Sequence, residues 1–243
     1  VRECRHLLYP GKAWFREFPK AAAELLPQRT INREIGKLNT KIAQFEELCH
    51  DAGLELDQVY AAALQWHRLF LDRKGEFSWF YRQMRLALHR GSFLFLHAGL
   101  DDDVAWLIND RGVRNLNREF RRQLHKGGFR FYYGSIANAI RTKYRSVDKP
   151  LSRRGASLVH DSGIHVIVHG HRSLNTGQRI TLRKEMVNFE CDITMDRHSR
   201  RREGLKGPGA GVTVIHPAGH ITGISTDYPR VKIFDPRYLG LPG

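Results

Sequence analysis

The stretch GIHVIVHGHRSLNTG, residues 163–177, constrains the chain more than any other. Its alternation puts Ile164, Val166 and Val168 on one side of a strand and His165, Ile167 and His169 on the other. Apolar residues on both sides describe a strand buried within a layered domain. Gly170 then opens a turn that carries His171 and Arg172. A buried strand that delivers imidazoles at its C-terminal end is placed to hold a ligand, because α/β folds gather their sites there. Imidazole is a common ligand for Zn, Mn and Fe.

A second segment follows the same logic. SFLFLHAGL, residues 92–100, is a short apolar run that ends on His97 and a small-residue turn. With 13 histidines in the chain, one histidine beside a strand carries little meaning. Two strand ends that each present one beside a glycine turn carry more. A third charged segment, MDRHSRRREGLK, contains the chain's Asp-x-His, Asp196-Arg197-His198, and reads as a solvated or phosphate-facing loop. NDRGV, residues 109–113, reads as a solvated helix end.

Around these segments the pattern changes from helical to β. From Thr30, Ile31, Ile35, Leu38, Ile42, Phe45 and Leu48 recur at helical spacing, with Thr30 as N-cap and Gly53 as the C′ residue. A second helix begins at Asp57 and a third covers 77–89. DDDVAWLIND, NLNREFRRQLHKGG (closed by Gly127-Gly128), GSIANAIRTKYRS and LSRRGASLVHDSG read as further helices. QRITLRK, MVNFECDI, GVTVIH and HITGISTDY read as strands separated by turns. The expected fold class is therefore α/β, with a helical hairpin at the front.

Composition narrows the function classes. No apolar run approaches the length of a membrane span, and no secretory leader opens the chain. Cys4, Cys49 and Cys191 are odd in number and far apart, which reads as inert thiols in a reducing cytoplasm. The formal charge of +15 favours an anionic partner. Nucleic acid is one such partner, but the basic residues are scattered among acidic ones, and this reading is not favoured.

FLFLHAGL and GIHVIVHGHRSLNTG, with His171 and Gly177 at their spacing, resemble two motifs of the calcineurin-like metallophosphoesterases, particularly the phosphoprotein phosphatase branch. MVNFECDI followed by GAGVTVI resembles the paired strands that close that family's second sheet, and the order of all three agrees. The resemblance covers roughly residues 91–226. It implies a layered αββα domain and a centre of two divalent metal ions (Mn, Fe or Zn). His97 and His171 would be ligands of one ion, and His169 a second-choice ligand. Arg172 reads equally as a phosphate-holding guanidinium and as a surface arginine. Three further family motifs, an Asp-x-His, a Gly-Asp-x-x-Asp and a Gly-Asn-His, have no counterpart in residues 1–96, so the general acid is expected outside this chain.

On this reading, residues 1–90 form a helical insertion or cap, and 91–243 the C-terminal half of an incomplete metallophosphoesterase domain. The opening Val1 fits a piece of a longer enzyme; the alternative is a degenerate member. The implied activity is hydrolysis of a phosphorylated protein or a small phosphoester, with nucleotide polyphosphate hydrolysis as an alternative. A non-catalytic basic module that binds nucleic acid or protein is the competing class, and the hairpin supplies a homodimer surface.

Overall fold

The computed structural model describes residues 8–126 and 128–235, so Cys4 and Gly127 lie outside the described residues. The chain divides into two compact units, residues 1–84 and 85–243. In the first, α1 (Lys12–Ala23), α2 (Gln28–Asp51), α3 (Leu56–Phe70) and α4 (Ser78–Gln83) follow one another. The N-cap of α2 is Pro27 rather than Thr30. Its carbonyl accepts from the N–H of Thr30 and of Ile31, while the proline ring holds its φ at −62°. Gly53 closes α2 as the spacing predicts. At φ +67° it donates to the His50 carbonyl, and Leu54 donates to that of Cys49, a Schellman pair. The amphipathic α3 has no buried residue.

The helix expected over 77–89 stops at Gln83, and Ala87–Arg90 is strand β1. Two tertiary features override the helical pattern. Gly91, at φ +55°, turns the chain through a two-residue hairpin into β2 (Phe93–Leu96), with Arg90 opposite Phe93. Buried Asn117 then fixes the strand. Its Oδ1 accepts from the N–H of Leu86 (2.7 Å) and Ala87 (3.1 Å), and its Nδ2 donates to the Ala87 carbonyl at 2.8 Å.

After β2 come α5 (Asp102–Lys126), α6 (Gly128–Tyr133), α7 (Ser135–Arg141) and α8 (Arg153–Asp161). Gly112, at φ 74° and ψ 165°, breaks α5 into two helical segments. The remaining elements are β3 (Val166–His169), β4 (Arg179–Arg183), β5 (Met186–Glu190), α9 (Arg197–Arg202), β6 (Gly211–Ile215), β7 (Ile221–Ser225) and β8 (Tyr228–Phe234). The fold is mixed α/β, with a five-stranded sheet ordered β1-β2-β3-β5-β4 and a three-stranded sheet ordered β6-β7-β8. Strands β2, β3 and β5 are parallel, and β1 and β4 are antiparallel edges. HITGISTDY is not one strand: Ser225 pairs with Tyr228, so the chain turns at Thr226-Asp227 and returns as β8. Val231 and Ile233 alternate around Lys232 there, a period the neighbouring Pro229 obscures.

The two sheets face each other. Val168, Phe189 and Ile221 form the core between them, with Phe93, Phe95, Val166 and Ile180 from the first sheet and Ile215 and Phe234 from the second. Phe189 meets the Phe234 ring edge-on at 4.9 Å. Each fully buried large side chain of this kind contributes roughly 1.5–3 kcal/mol of transfer free energy. On the opposite side of the first sheet, Leu94 and Ile167 are fully buried on the side taken by the helices, where Asn109 of α5 donates to the Leu158 carbonyl of α8. Strand β3 is thus buried on both faces, as its sequence predicts. The described residues of the second unit form three layers: helices, five-stranded sheet and three-stranded sheet. The outer face of the last stays open, with Val231 55% and Ile233 68% exposed.

Candidate functional site

The C-terminal ends of β2 and β3 lie side by side because the strands are parallel, and the Gly170 N–H donates to the His97 carbonyl at 3.0 Å. The residues after β2 are held from beneath. Ala98 and Gly99 donate to the Ala139 carbonyl of α7, and Leu100 N–H donates to the Tyr144 hydroxyl at 3.1 Å. Gly99 has no alternative here, since a Cβ would stand 2.3 Å from that hydroxyl oxygen. The small-residue turn after His97 is therefore the seat of Tyr144.

His171 leaves the strand at φ +64°, a conformation few non-glycine residues adopt. The turn brings its Nδ1 to 3.1 Å from His97 Nε2. Its Nε2 lies 3.0 Å from the Arg141 carbonyl. A carbonyl only accepts, so Nε2 carries the hydrogen and Nδ1 keeps a lone pair toward His97. Burial lowers the His171 pKa, and the charges of His97 and Lys143 lower it further, against the Arg141 carbonyl and Asp192. The shift favours the neutral imidazole, the form a metal requires.

This donor pair suits one divalent ion. Two nitrogens each about 2.1 Å from a common ion and 3.1 Å apart subtend close to a right angle. The carbonyl behind His171 is the kind of support that orients ligating histidines. Among the described residues no group of three His, Cys, Asp or Glu is arranged to hold a metal. Among the described residues the pair is thus two imidazoles without a third donor arranged around them.

His169, expected as a further ligand, lies elsewhere. It is 1% exposed, opposite Glu190 across the β3–β5 ladder, and edge-on to Tyr144 at 6.3 Å between ring centres. Its Nδ1 is 3.2 Å from the Gly170 carbonyl. Burial lowers its pKa, against opposing contributions from the Gly170 carbonyl and Glu190. Arg172 turns toward Glu190 at 3.4 Å.

Two residues the sequence reading passed over belong to this neighbourhood. Tyr144 carries no motif and reaches the turn through a loop. Asp192 follows β5, beside Gly170: a Cβ there would meet its side chain at 3.5 Å. A carboxylate two residues beyond a parallel strand is the signal that could have found Asp192. The Asp-x-His at 196–198 has a structural role, because Asp196 caps α9 by accepting from Ser199 N–H at 2.7 Å. Arg200, in the same basic run, is 3% exposed. It donates to the carbonyls of Thr194, Lys206 and Gly207 and to both carboxylate oxygens of Asp227, so it clamps the 194–210 loop to the β7–β8 turn. Arg111 pairs with its neighbour Asp110 at 2.8 Å in solvent.

No family model matches the chain, and no curated protein matches it. Among solved structures it is similar to a cold-active protein tyrosine phosphatase at 11% identity and TM-score 0.43, over 65% of this chain and 44% of that one. It is also similar to the cold-active protein-tyrosine phosphatase of a psychrophilic Shewanella species, at 13% identity and TM-score 0.40, over 66% and 46%. The chain spans less than half the length of these neighbours.

Proposed function

We propose that this chain is the histidine-bearing half of a metal-dependent phosphoesterase that hydrolyses phosphomonoesters, with phosphorylated serine or threonine in proteins as the leading substrate. The observation that supports it is the approach of His97 Nε2 and His171 Nδ1 to 3.1 Å at the ends of two parallel strands. The resemblance of both segments to metallophosphoesterase motifs supports the reaction class. When bound, divalent ions supply an activated hydroxide and polarise the phosphoryl oxygens.

The chain's own part is to present ligands. The Arg141 carbonyl fixes the His171 tautomer, Tyr144 seats the turn that carries His97, and imidazole ligands, unlike carboxylates, bring no negative charge to offset that of the cation. The bridging carboxylate and general acid come from outside these residues.

The test is metal-dependent hydrolysis of p-nitrophenyl phosphate by the complete protein, with cobalt titration followed in the visible spectrum. His97→Ala and His171→Ala should each reduce kcat on the order of 100-fold or more and abolish the cobalt spectrum, with the circular dichroism unchanged. Retained turnover in both variants sinks the reading.

A further inference from the structure

Opposite the inter-sheet core, strands β3, β5 and β4 carry a polar surface that neither histidine of the pair uses. Rows across the ladder run His169–Glu190–Arg179 and Ile167–Asn188–Thr181, and Arg183 stands one row further along β4. Glu190 is fully buried. Its Oε2 accepts from Arg179, at 2.9 Å from Nε and again from Nη2. Its Oε1 accepts from Arg183 Nη2 at 3.0 Å and faces Arg172 Nη1 at 3.4 Å. Burial would raise this carboxyl, but the hydrogen bonds from Arg179 and Arg183 and the charges of Arg179 and Arg172 hold it below its ordinary value.

Two features exceed what one carboxylate needs. Three guanidiniums against one carboxylate, three minus one, leave a surplus of two positive charges. The arginine side chains are 32%, 44% and 25% exposed for Arg172, Arg179 and Arg183, so solutes reach them while Glu190 stays covered. On the same face, Thr181 Oγ1 and Arg183 Nε are buried without a hydrogen-bond partner, while the side chains of His169 and Asn188 interact with each other. Buried polar atoms are nearly always paired, and two unpaired donors beside three guanidiniums mark a place where a further acceptor belongs. Arg183 is also steadied from one side, its guanidinium carbon 4.6 Å from the centre of the Tyr144 ring.

We propose that this face is an oxyanion site for a phosphate-type tetrahedral anion, held by Arg172, Arg179 and Arg183, with Glu190 as the resident counter-ion that keeps the guanidiniums in order. Guanidinium forks match such oxygens two at a time. Arg183 Nε–H and the Thr181 hydroxyl are further donors on the same face. The assignment stands on these contacts and not on metal binding.

The probe is inorganic phosphate, titrated calorimetrically into the full chain at constant ionic strength, with sulfate as a second oxyanion and chloride as the blank. Saturable phosphate binding is expected. Arg179→Gln and Arg183→Gln should each weaken it by about tenfold, the loss of one charge-assisted fork. Glu190→Gln should tighten it, because the internal competitor is gone, and the His97→Ala/His171→Ala double variant should leave it unchanged. If the β4 replacements unfold the chain by circular dichroism, Arg172→Gln on the loop carries the comparison. No phosphate heat above the chloride blank, in the native chain and in Glu190→Gln alike, overturns the proposal. Binding lost in the double histidine variant but kept in the arginine variants overturns it too, and would put the anion at the histidine pair.

Discussion

At the scale of single residues, the chain depends on a few polar groups kept in a fixed charge state. Glu190 binds protons less readily in the fold than its ordinary value allows. A depressed carboxylate adds stability that is present above its unfolded pKa and lost as pH falls through the folded one. The melting temperature should therefore drop as the pH falls below about 4.5, and less steeply in Glu190→Gln, as thermal melts between about pH 3 and pH 6 would show. Equal slopes for the two proteins would mean that Glu190 is not a source of the acid sensitivity. The placement of His97 and His171 at two strand ends was legible because strand ends and glycine turns are local patterns. The fate of His169 was not: two-residue spacing puts it beside His171 only if the strand continues, and the +64° φ of His171 breaks that premise. The contact of Arg172 with Glu190 was not legible, because the two lie 18 residues apart.

Among the elements, the β4–β5 hairpin is the one whose sequence argues against its own geometry. Arg183 pairs with Met186, leaving Lys184 and Glu185 as a two-residue turn with φ of 51° and 72°. Turns of this kind favour Asn-Gly, because side chains with a Cβ cost about 1 kcal/mol or more in the left-handed region. Lys184→Asn with Glu185→Gly should stabilise the protein by roughly 1 kcal/mol, read from denaturant midpoints. The ion pair lost with Glu185, to Arg153 at 3.2 Å, is exposed on both sides and contributes little. An unchanged or lower midpoint would show that the turn carries no such strain. The helix expected over 77–89 failed for the opposite reason. Its local pattern was sound up to Gln83, but the fate of Leu86 and Ala87 is decided by Asn117, thirty residues on.

Across the whole molecule, the parallel strands and the two-sheet core follow from the apolar runs, and the α/β class was legible from their alternation with helices. The surface was less so. Val212, Val214, Ile224, Val231 and Ile233 are all exposed in the β6–β8 sheet, a contiguous apolar face larger than scattered surface residues need. Ile233→Lys should reduce concentration-dependent association in sedimentation velocity and leave the melting temperature within about 2 °C. A native chain that stays monomeric at every concentration would contradict this. Among the described residues no helix is long and apolar enough to cross a membrane.

The parallel pairing of β2 with β3 has a consequence in time as well as in space. His97 and His171 are 74 residues apart, joined only after α5 to α8 have crossed from one strand to the next. The β1–β2 hairpin closes over two residues and belongs to the fast, local events of folding, whereas the histidine contact belongs to the slow, long-range ones. A nascent chain therefore does not yet hold these two imidazoles together. Their meeting arrives with the finished sheet.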